Sequence, residues 1–251
     1  NGNINFQAIK TSIVKHETKL NIYLKFLPQQ LTDLITNILK LLISDILDIS
    51  KIDAGSIEVH YEPTNIKESI NQLINTFTIQ NKYSSLKYIA NVDHKVNKLV
   101  LCDSKLLNQI LLNLVGNAQK FTASGTIELS VQLVKEDYES VCLKFSVKDT
   151  GIGILKNELT SIFSEFKQAN ATISRKYGGT GLGLSISQQL VILLGGELLV
   201  NSEHGIGSNF YFTLKLNKTK KVIPLDNIVP TSPEFQSTDY KTLIVEDNKM
   251  N

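Results

Sequence analysis

Two neighbouring stretches of alternating apolar and polar residues restrict this chain to folds that contain an antiparallel sheet. Residues 126–133 (TIELSVQL) and 140–147 (SVCLKFSV) alternate with period two, and a charged turn joins them. Such alternation is typical of half-buried strands, so the two stretches predict a β-hairpin. The apolar side chains of a hairpin of this kind lie on one face, and other elements must cover that face.

Helical and strand patterns are mixed around this hairpin. Helices are predicted from about Asn65, which with Glu68 has the spacing of a cap pair, at 104–121 and at 183–194. A shorter helix is predicted around 156–163, and short strands are predicted at 57–61, 86–91, 98–102, 196–201 and 208–216. Helices interspersed with antiparallel strands indicate an α+β fold, in which helices cover one face of a single sheet.

The first 55 residues are predicted to be mostly helical. Apolar residues recur at spacings of 4, 3, 4 and 3 from Ile35 to Ile49, which is typical of a coiled-coil or bundle seam. Pro28 interrupts the pattern before this seam, so we expect a helical hairpin. A two-helix hairpin cannot bury both of its faces alone, and we therefore expect two chains to pair into a four-helix bundle.

Composition excludes several classes of protein. A net charge of +2 over 251 residues gives no strong basic field, so nucleic acid is not an expected partner. Cys102 and Cys142 match no metal-binding spacing and are expected to be reduced core residues of a cytoplasmic segment. No apolar run reaches about 18 residues, so no direct membrane contact is expected. Because the chain does not begin with Met and stops within an acidic motif, we expect a piece of a longer protein, with any membrane anchor outside it.

Three polar residues share one face of the predicted helix 104–121. Asn113, Asn117 and Lys120 lie at positions i, i+4 and i+7, opposite an apolar stripe. One interpretation is an ordinary solvent-facing stripe. The other is a site in which an Asn amide oxygen binds Mg²⁺ and the Lys ammonium group binds phosphate. These residues alone leave both interpretations open.

Two glycine-rich motifs are candidates for binding a nucleotide. Asp149 follows the hairpin and precedes Gly151 and Gly153; its carboxylate can accept a hydrogen bond from the amine of adenine, and the glycines let the backbone approach a ligand. Residues 178–183 (GGTGLG) precede an apolar helix and can present backbone N–H groups to an anion. The alternatives are a turn with an Asx cap for the first motif and a flexible loop for the second. The second motif matches neither the Walker nor the Rossmann pattern.

The order and spacing of these motifs resemble the sensor histidine kinases, whose ATPase domain is shared with gyrase, the heat-shock chaperone and MutL-type proteins. LLNLVGNAQKFT at 111–122 resembles their N box, KDTGIGI at 148–154 the G1 box, IFSEFKQ at 162–168 the F box and RKYGGTGLGLSI at 175–186 the G2 box. GGELLVNSEHGIGSNFYFTL at 195–214 is similar to their closing strands. DILDISKIDAG at 45–55 resembles the junction after the bundle of hybrid kinases, and TLIVEDN at 242–248 resembles the first strand of a receiver domain.

The resemblance implies an α/β sandwich that binds ATP under a mobile lid. It implies that Asn117 coordinates Mg²⁺, that Lys120 contacts the phosphates and that Asp149 binds the adenine amine. Asn113 occupies the place where gyrase-type ATPases hold a water-activating Glu, so it is expected to contact the nucleotide and to favour phosphoryl transfer over hydrolysis. The other residues expected to bind the nucleotide or pack the lid are Gly151, Gly153, Phe163, Phe166, Gly179, Thr180, Gly181, Leu182 and Gly183.

The phosphate acceptor is expected in the helical region. The family motif reads His-Glu-x-Arg/Lys-Thr/Ser-Pro-Leu, and His16 with Glu17 matches its start. The resemblance therefore implies that His16 is the nucleophile and Glu17 the base. The Thr/Ser-Pro dipeptide of the motif is absent. The number of residues between His16 and the junction at 45–55 is also smaller than in the family. The alternative is that His16 is a surface histidine.

These expectations divide the chain into four parts. They are a short dimerisation and histidine-phosphotransfer hairpin at 1–55, an ATP-binding catalytic domain at 56–217, a linker at 218–239 and the truncated start of a receiver domain at 240–251. Glu246 and Asp247 are the expected Mg²⁺ ligands of that receiver. The expected function is autophosphorylation of a histidine by ATP in a homodimer, followed by transfer to an aspartate of a receiver domain. The alternatives are an ATP-binding pseudokinase scaffold and a gyrase-like or chaperone ATPase.

Overall fold

The computed structural model describes residues 29–82, 84–96, 99–164 and 181–219. The helices in this part of the chain are α1 (Gln29–Asp53), α2 (Ile66–Gln80), α3 (Ser104–Phe121) and α4 (Gly183–Leu193). The strands are β1 (Glu62–Thr64), β2 (Leu86–Val92), β3 (Val100–Cys102), β4 (Gly125–Glu136), β5 (Ser140–Asp149), β6 (Leu199–Glu203) and β7 (Gly207–Lys218). Of the helices described, none is both long and apolar enough to cross a membrane.

The seven strands form one mixed sheet. Its order is β1-β3-β7-β5-β4-β2, and β6 pairs with β7 beside that path. β4 and β5 form the predicted hairpin, in which Leu129 pairs with Val147 and Val131 with Phe145. β2 pairs with β4 in parallel, although the sequence predicted antiparallel strands. The difference arises because a crossover that contains β3 and α3, not a tight turn, connects β2 to β4.

Helices α2, α3 and α4 pack on one face of the sheet. Along β4, β5 and β7 alternate side chains are buried, and the rings of Phe145 and Phe212 stack with their centroids 5.1 Å apart. The helices contribute buried residues such as Ile70, Leu111 and Leu190 to the same core. A layer of helices on one sheet is the expected α/β sandwich.

Asp103 fixes the start of α3. Its Oδ1 accepts hydrogen bonds from the backbone N–H groups of Lys105 at 3.1 Å and Leu106 at 3.0 Å, which caps the helix. Its Oδ2 accepts from the backbone N–H of His60 at 2.8 Å. One buried carboxylate thus ties α3 to the segment that follows α1.

α1 is the second helix of the hairpin predicted for residues 1–55, and residues 1–28 lie outside the described part of the chain. Its last turns contact the sandwich: Ile49 is buried, and Gln109 Nε2 on α3 donates a hydrogen bond to Asp48 Oδ2 at 2.8 Å. The helix ends before Gly55, whose φ of +60° is typical of a helix C-terminus.

Two short elements differ from the sequence prediction. Residues 57–61 do not form a strand; Ile57 and Val59 pack against the core from a connecting segment, and sheet pairing begins at β1. Residues 156–163 form consecutive turns instead of a helix. In both places the apolar side chains reach the core without regular backbone structure.

Candidate functional site

The polar face of α3 is half-buried. Asn113, Asn117 and Lys120 are each partly exposed, whereas the opposite face of the helix is in the core. Burial lowers the pKa of the Lys120 ammonium group, and its Nζ lies 4.9 Å from the centroid of the Phe121 ring. These groups are partly shielded from water. Their interaction with a charged ligand is therefore stronger than that of fully solvated side chains.

The polar face of α3 meets the start of α4. Asn113 Nδ2 donates a hydrogen bond to the Gly183 carbonyl oxygen at 3.4 Å, and a side chain on Gly183 would lie 3.8 Å from the Asn113 amide carbon. Ser187 Oγ donates to the same carbonyl at 2.8 Å. The fold therefore brings together Asn113 and Gly183, which the sequence placed in two separate motifs.

α4 begins without a side-chain cap from its N-cap residue, Leu182. Gly181, just before it, has φ +74°, a left-handed conformation that glycine adopts without strain. Leu182 is fully buried, backbone as well as side chain, and belongs to the core in this structure. The first N–H groups of α4 have no partner within their own helix.

Asp149 is buried and held at the end of β5. The residue is 6% exposed, and its Oδ1 accepts a hydrogen bond from the Gly151 backbone N–H at 2.8 Å. Burial raises the pKa of its carboxyl group, while the backbone N–H groups of Gly151 and Ser208 and the Thr122 hydroxyl lower it. A carboxylate has about four acceptor positions, so Asp149 retains capacity to accept from the amine of a ligand.

Gly151 and Gly153 allow separate segments of backbone to touch. A Cβ on Gly151 would lie 2.3 Å from the Phe121 carbonyl oxygen, and one on Gly153 would lie 2.0 Å from that of Glu203. The backbone N–H of Ile152, between the two glycines, donates to the Phe121 carbonyl at 3.2 Å. A larger residue at either glycine would separate the loop after β5 from α3 or from β6.

Phe163 packs on the sandwich. Its ring meets Phe210 of β7 edge-on, with a centroid distance of 6.5 Å. The remaining candidate residues lie outside the described part of the chain: Phe166, Gly179, Thr180, His16, Glu17, Glu246 and Asp247.

The structure adds three hydroxyl residues around Asp149 that the sequence did not indicate. Thr122 and Ser208 adjoin its carboxylate. Ser202 Oγ accepts a hydrogen bond from the backbone N–H of Ile154 at 2.8 Å and so ties the loop after β5 to β6. Serine and threonine are common in strands and loops, and nothing in the local sequence distinguishes these three.

Known proteins are similar to this chain in sequence. Residues 102–218 match the family described as histidine kinase-, DNA gyrase B- and HSP90-like ATPase. The chain is 38% identical to the hybrid signal transduction histidine kinase L of Dictyostelium discoideum over 231 residues, which are 91% of this chain and 13% of that protein. It is 34% identical to the signal transduction histidine-protein kinase BarA of Shigella flexneri over 237 residues, which are 92% of this chain and 25% of that protein.

The fold is also similar to that of a solved histidine kinase. The crystal structure of full-length ShkA in complex with AMPPNP aligns with a TM-score of 0.62 at 29% identity, over 71% of this chain and 36% of that one. The family match contains the polar face of α3, Asp149, and the start of α4. The chain therefore carries an ATPase domain of the histidine kinase, DNA gyrase B and HSP90 family, and over most of its length it is homologous to hybrid sensor histidine kinases.

Proposed function

We propose that this chain is the ATP-binding and phosphoryl-transfer part of a hybrid protein-histidine kinase in a two-component phosphorelay. The observation that carries the proposal is that one ATPase domain combines the half-buried polar face of α3 with Asp149, which is buried and hydrogen-bonded to the Gly151 backbone. The relatives are named histidine kinases, which favours phosphoryl transfer over a scaffold without kinase activity. Asn113 in place of a water-activating Glu favours transfer over hydrolysis.

In this proposal Asp149 recognises adenine. Its carboxylate accepts a hydrogen bond from the exocyclic amine, and the Gly151 N–H at 2.8 Å from Oδ1 fixes its orientation. Burial supports the assignment, because a hydrogen bond is stronger where water is excluded. Gly151 and Gly153 keep the loop after β5 close to α3 and β6, which fixes the backbone beside Asp149.

Asn117 and Lys120 are assigned to the triphosphate end. The Asn117 amide oxygen would hold Mg²⁺, a cation that prefers oxygen ligands. The bound ion supplies charge neutralisation at the transferred phosphate. Lys120 contacts the phosphates, and Asn113 lies next to Gly183 at the start of α4.

The acceptor is assigned to His16 with Glu17 as its base, both outside the described residues. An imidazole nitrogen of His16 attacks the γ-phosphorus, a P–N bond forms, the bond to the bridging oxygen breaks and ADP leaves. Glu17 takes the imidazole proton. The phosphoryl group then passes to an aspartate of a receiver domain, in which Glu246 and Asp247 would hold Mg²⁺.

We assign the working form to a cytoplasmic homodimer paired through α1 and the segment before it, with a receiver domain of the same or another protein as partner. The homology to hybrid kinases supports both partners.

Incubation with γ-labelled ATP and Mg²⁺ tests the proposal. We expect an acid-labile, alkali-stable label on the protein that is lost in His16→Gln. Asp149→Asn should weaken ATP binding roughly 10- to 100-fold, because a hydrogen bond to a charged group contributes about 1.5–3 kcal/mol. Since burial raises the pKa of Asp149, the ionised carboxylate costs stability at neutral pH, and the neutral Asn should not lower the free energy of unfolding.

The outcomes separate the alternatives. ATP binding that is lost in Asp149→Asn, with no label on the unaltered chain, would indicate a nucleotide-binding scaffold. Label that persists in His16→Gln would move the acceptor to another residue. Steady ATP turnover without any phosphoprotein would indicate an ATPase.

A further inference from the structure

A buried hydroxyl group adjoins Asp149 and has no role in the function proposed above. Thr122 directly follows α3 and is 2% exposed. Its Oγ1 is shielded from solvent and, among the described residues, has no partner in full hydrogen-bond geometry, although it lies near enough to Asp149 to lower the pKa of that carboxyl group. Leaving a buried polar atom unpaired costs about 1–3 kcal/mol, so its retention needs an explanation.

The backbone at Thr122 explains why this hydroxyl is available. Within a helix a threonine hydroxyl can donate to the carbonyl four residues earlier, as Thr78 on α2 does to Ile74 at 2.9 Å. Thr122 has left the helical conformation, with φ −115° and ψ 105°. Its hydroxyl is therefore free to act outside α3.

The Thr122 hydroxyl and the Asp149 carboxylate both lie next to the position that a side chain on Gly151 would occupy. A Cβ on Gly151 would lie 2.8 Å from Thr122 Oγ1 and 2.9 Å from Asp149 Oδ1. Both oxygens thus border the same small space. The backbone N–H of Gly151 donates to Oδ1 at 2.8 Å, so the hydroxyl would be a further donor beside a group that is already partly held.

We propose that Thr122 is a positioning residue for Asp149, with its hydroxyl donating to the carboxylate and holding it in the orientation that accepts the adenine amine. This inference rests on the proposed function, because it takes Asp149 to be the adenine-binding residue. It also explains why glycine stands at position 151, since a side chain there would occupy the space between the two oxygens.

The electrostatics of Asp149 agree with such a role. Burial raises the pKa of its carboxyl group, and the Thr122 hydroxyl is one of three groups that lower it. Among the charged or titratable side chains on the surrounding elements are Lys120, Glu128, Lys148, Glu203 and His204. None of these five is among the causes of the shift. Removal of the hydroxyl should therefore raise the pKa of Asp149, so that protonation competes with adenine binding at a higher pH.

Thr122→Val tests the inference, because it removes the hydroxyl and keeps the shape of the side chain. The Kd for ATP is measured for the variant and for the unaltered chain from about pH 8 to about pH 5.5. At each pH the Kd of the variant is divided by that of the unaltered chain, so that the effect of nucleotide titration cancels in this Kd ratio. We expect a Kd ratio of about 3 to 10 at the upper pH. The ratio should rise as the pH falls, because Asp149 of the variant is protonated first.

Two variants serve as controls. Thr122→Ser keeps the hydroxyl, and its ratio should stay near one at every pH. Thr78→Val removes a threonine hydroxyl that is bonded within α2, and its ratio should also stay near one. If urea unfolding shows that Thr122→Val does not fold, Thr122→Ala takes its place in the same comparison.

A ratio for Thr122→Val that is near one, or that is raised equally at every pH, overturns the inference and leaves only a packing role. Asp149→Asn distinguishes this result from failure of the proposed function. If Asp149→Asn loses ATP binding while the Kd ratio of Thr122→Val does not change with pH, only the inference about Thr122 is overturned. Unchanged binding in Asp149→Asn would overturn the adenine site itself.

Discussion

Gly153 holds the loop after β5 against β6 because it has no side chain. Its φ is +65°, and a Cβ there would lie 2.0 Å from the Glu203 carbonyl oxygen. Gly195, after α4, has a similar φ of +82° but nothing within 4 Å of its Cβ position. A comparison of the two separates the cost of the left-handed backbone from the cost of the close contact.

We predict that Gly195→Ala lowers the free energy of unfolding by about 1–2 kcal/mol, the cost of a left-handed conformation, and leaves ATP affinity unchanged. Gly153→Ala should lower it further, because the loop must also move away from Glu203. That displacement should weaken ATP binding about 10-fold or more, since the loop lies beside Asp149. Urea unfolding and ATP titration measure both effects, and equal effects of the two substitutions would contradict the argument.

At the scale of elements, α3 carries Asn113, Asn117 and Lys120, and its N-terminus depends on Asp103. The Asp103 carboxylate is 4% exposed and accepts three backbone N–H groups, one of them from His60 outside the helix. Asn65 caps α2 in the same manner but is exposed, and within the described part of the chain its side chain accepts only from the Glu68 backbone N–H, at 3.2 Å.

We predict that Asn65→Ala lowers the free energy of unfolding by about 1 kcal/mol, the usual effect of removing a helix cap. Asp103→Ala should lower it by about 2–4 kcal/mol, because it removes a cap and also leaves the His60 N–H without its acceptor. The two variants are compared by urea unfolding. Equal losses would show that the bond to His60 contributes nothing.

The elements that could be predicted are those with local signals. The apolar period of α3, the Asn65 cap and the alternation in the β4–β5 hairpin are each complete within a few residues. The strand expected at 57–61 was wrong because Ile57 and Val59 alternate without a neighbouring strand to pair with. The parallel pairing of β2 with β4 depends on a distant crossover, which no local pattern encodes.

The same limit applies to the candidate site. Asp149 and Gly183 stand in motifs whose residue types indicate nucleotide chemistry, so the sequence alone makes them candidates. Thr122 could not be connected with Asp149, because the connection depends on the missing side chain of Gly151 and on the contact of the loop after β5 with the end of α3. The sequence indicates candidate chemical groups more readily than the residues that surround them in space.

At the scale of the whole molecule, the last residue of the predicted seam on α1 is buried within the chain, whereas other apolar residues of the helix are exposed. Ile49 is buried against the sandwich, and Asp48 beside it accepts from Gln109. Ile46 and Leu47 are 43% and 38% exposed, respectively. Ile46 belongs to the predicted bundle seam, so the proposed homodimer would bury it against a second copy of the chain.

We predict that the unaltered chain sediments as a dimer and that Ile46→Glu weakens the dimer at least about 100-fold, because a carboxylate would be buried at the seam. Ile79→Glu is the matched control, since Ile79 is 75% exposed on α2 and lies outside the predicted seam. Both variants should fold and bind ATP, because each side chain is already exposed in the single chain. Sedimentation over a range of concentrations measures the change. A dimer that withstands Ile46→Glu, or that Ile79→Glu disrupts equally, would place the interface elsewhere.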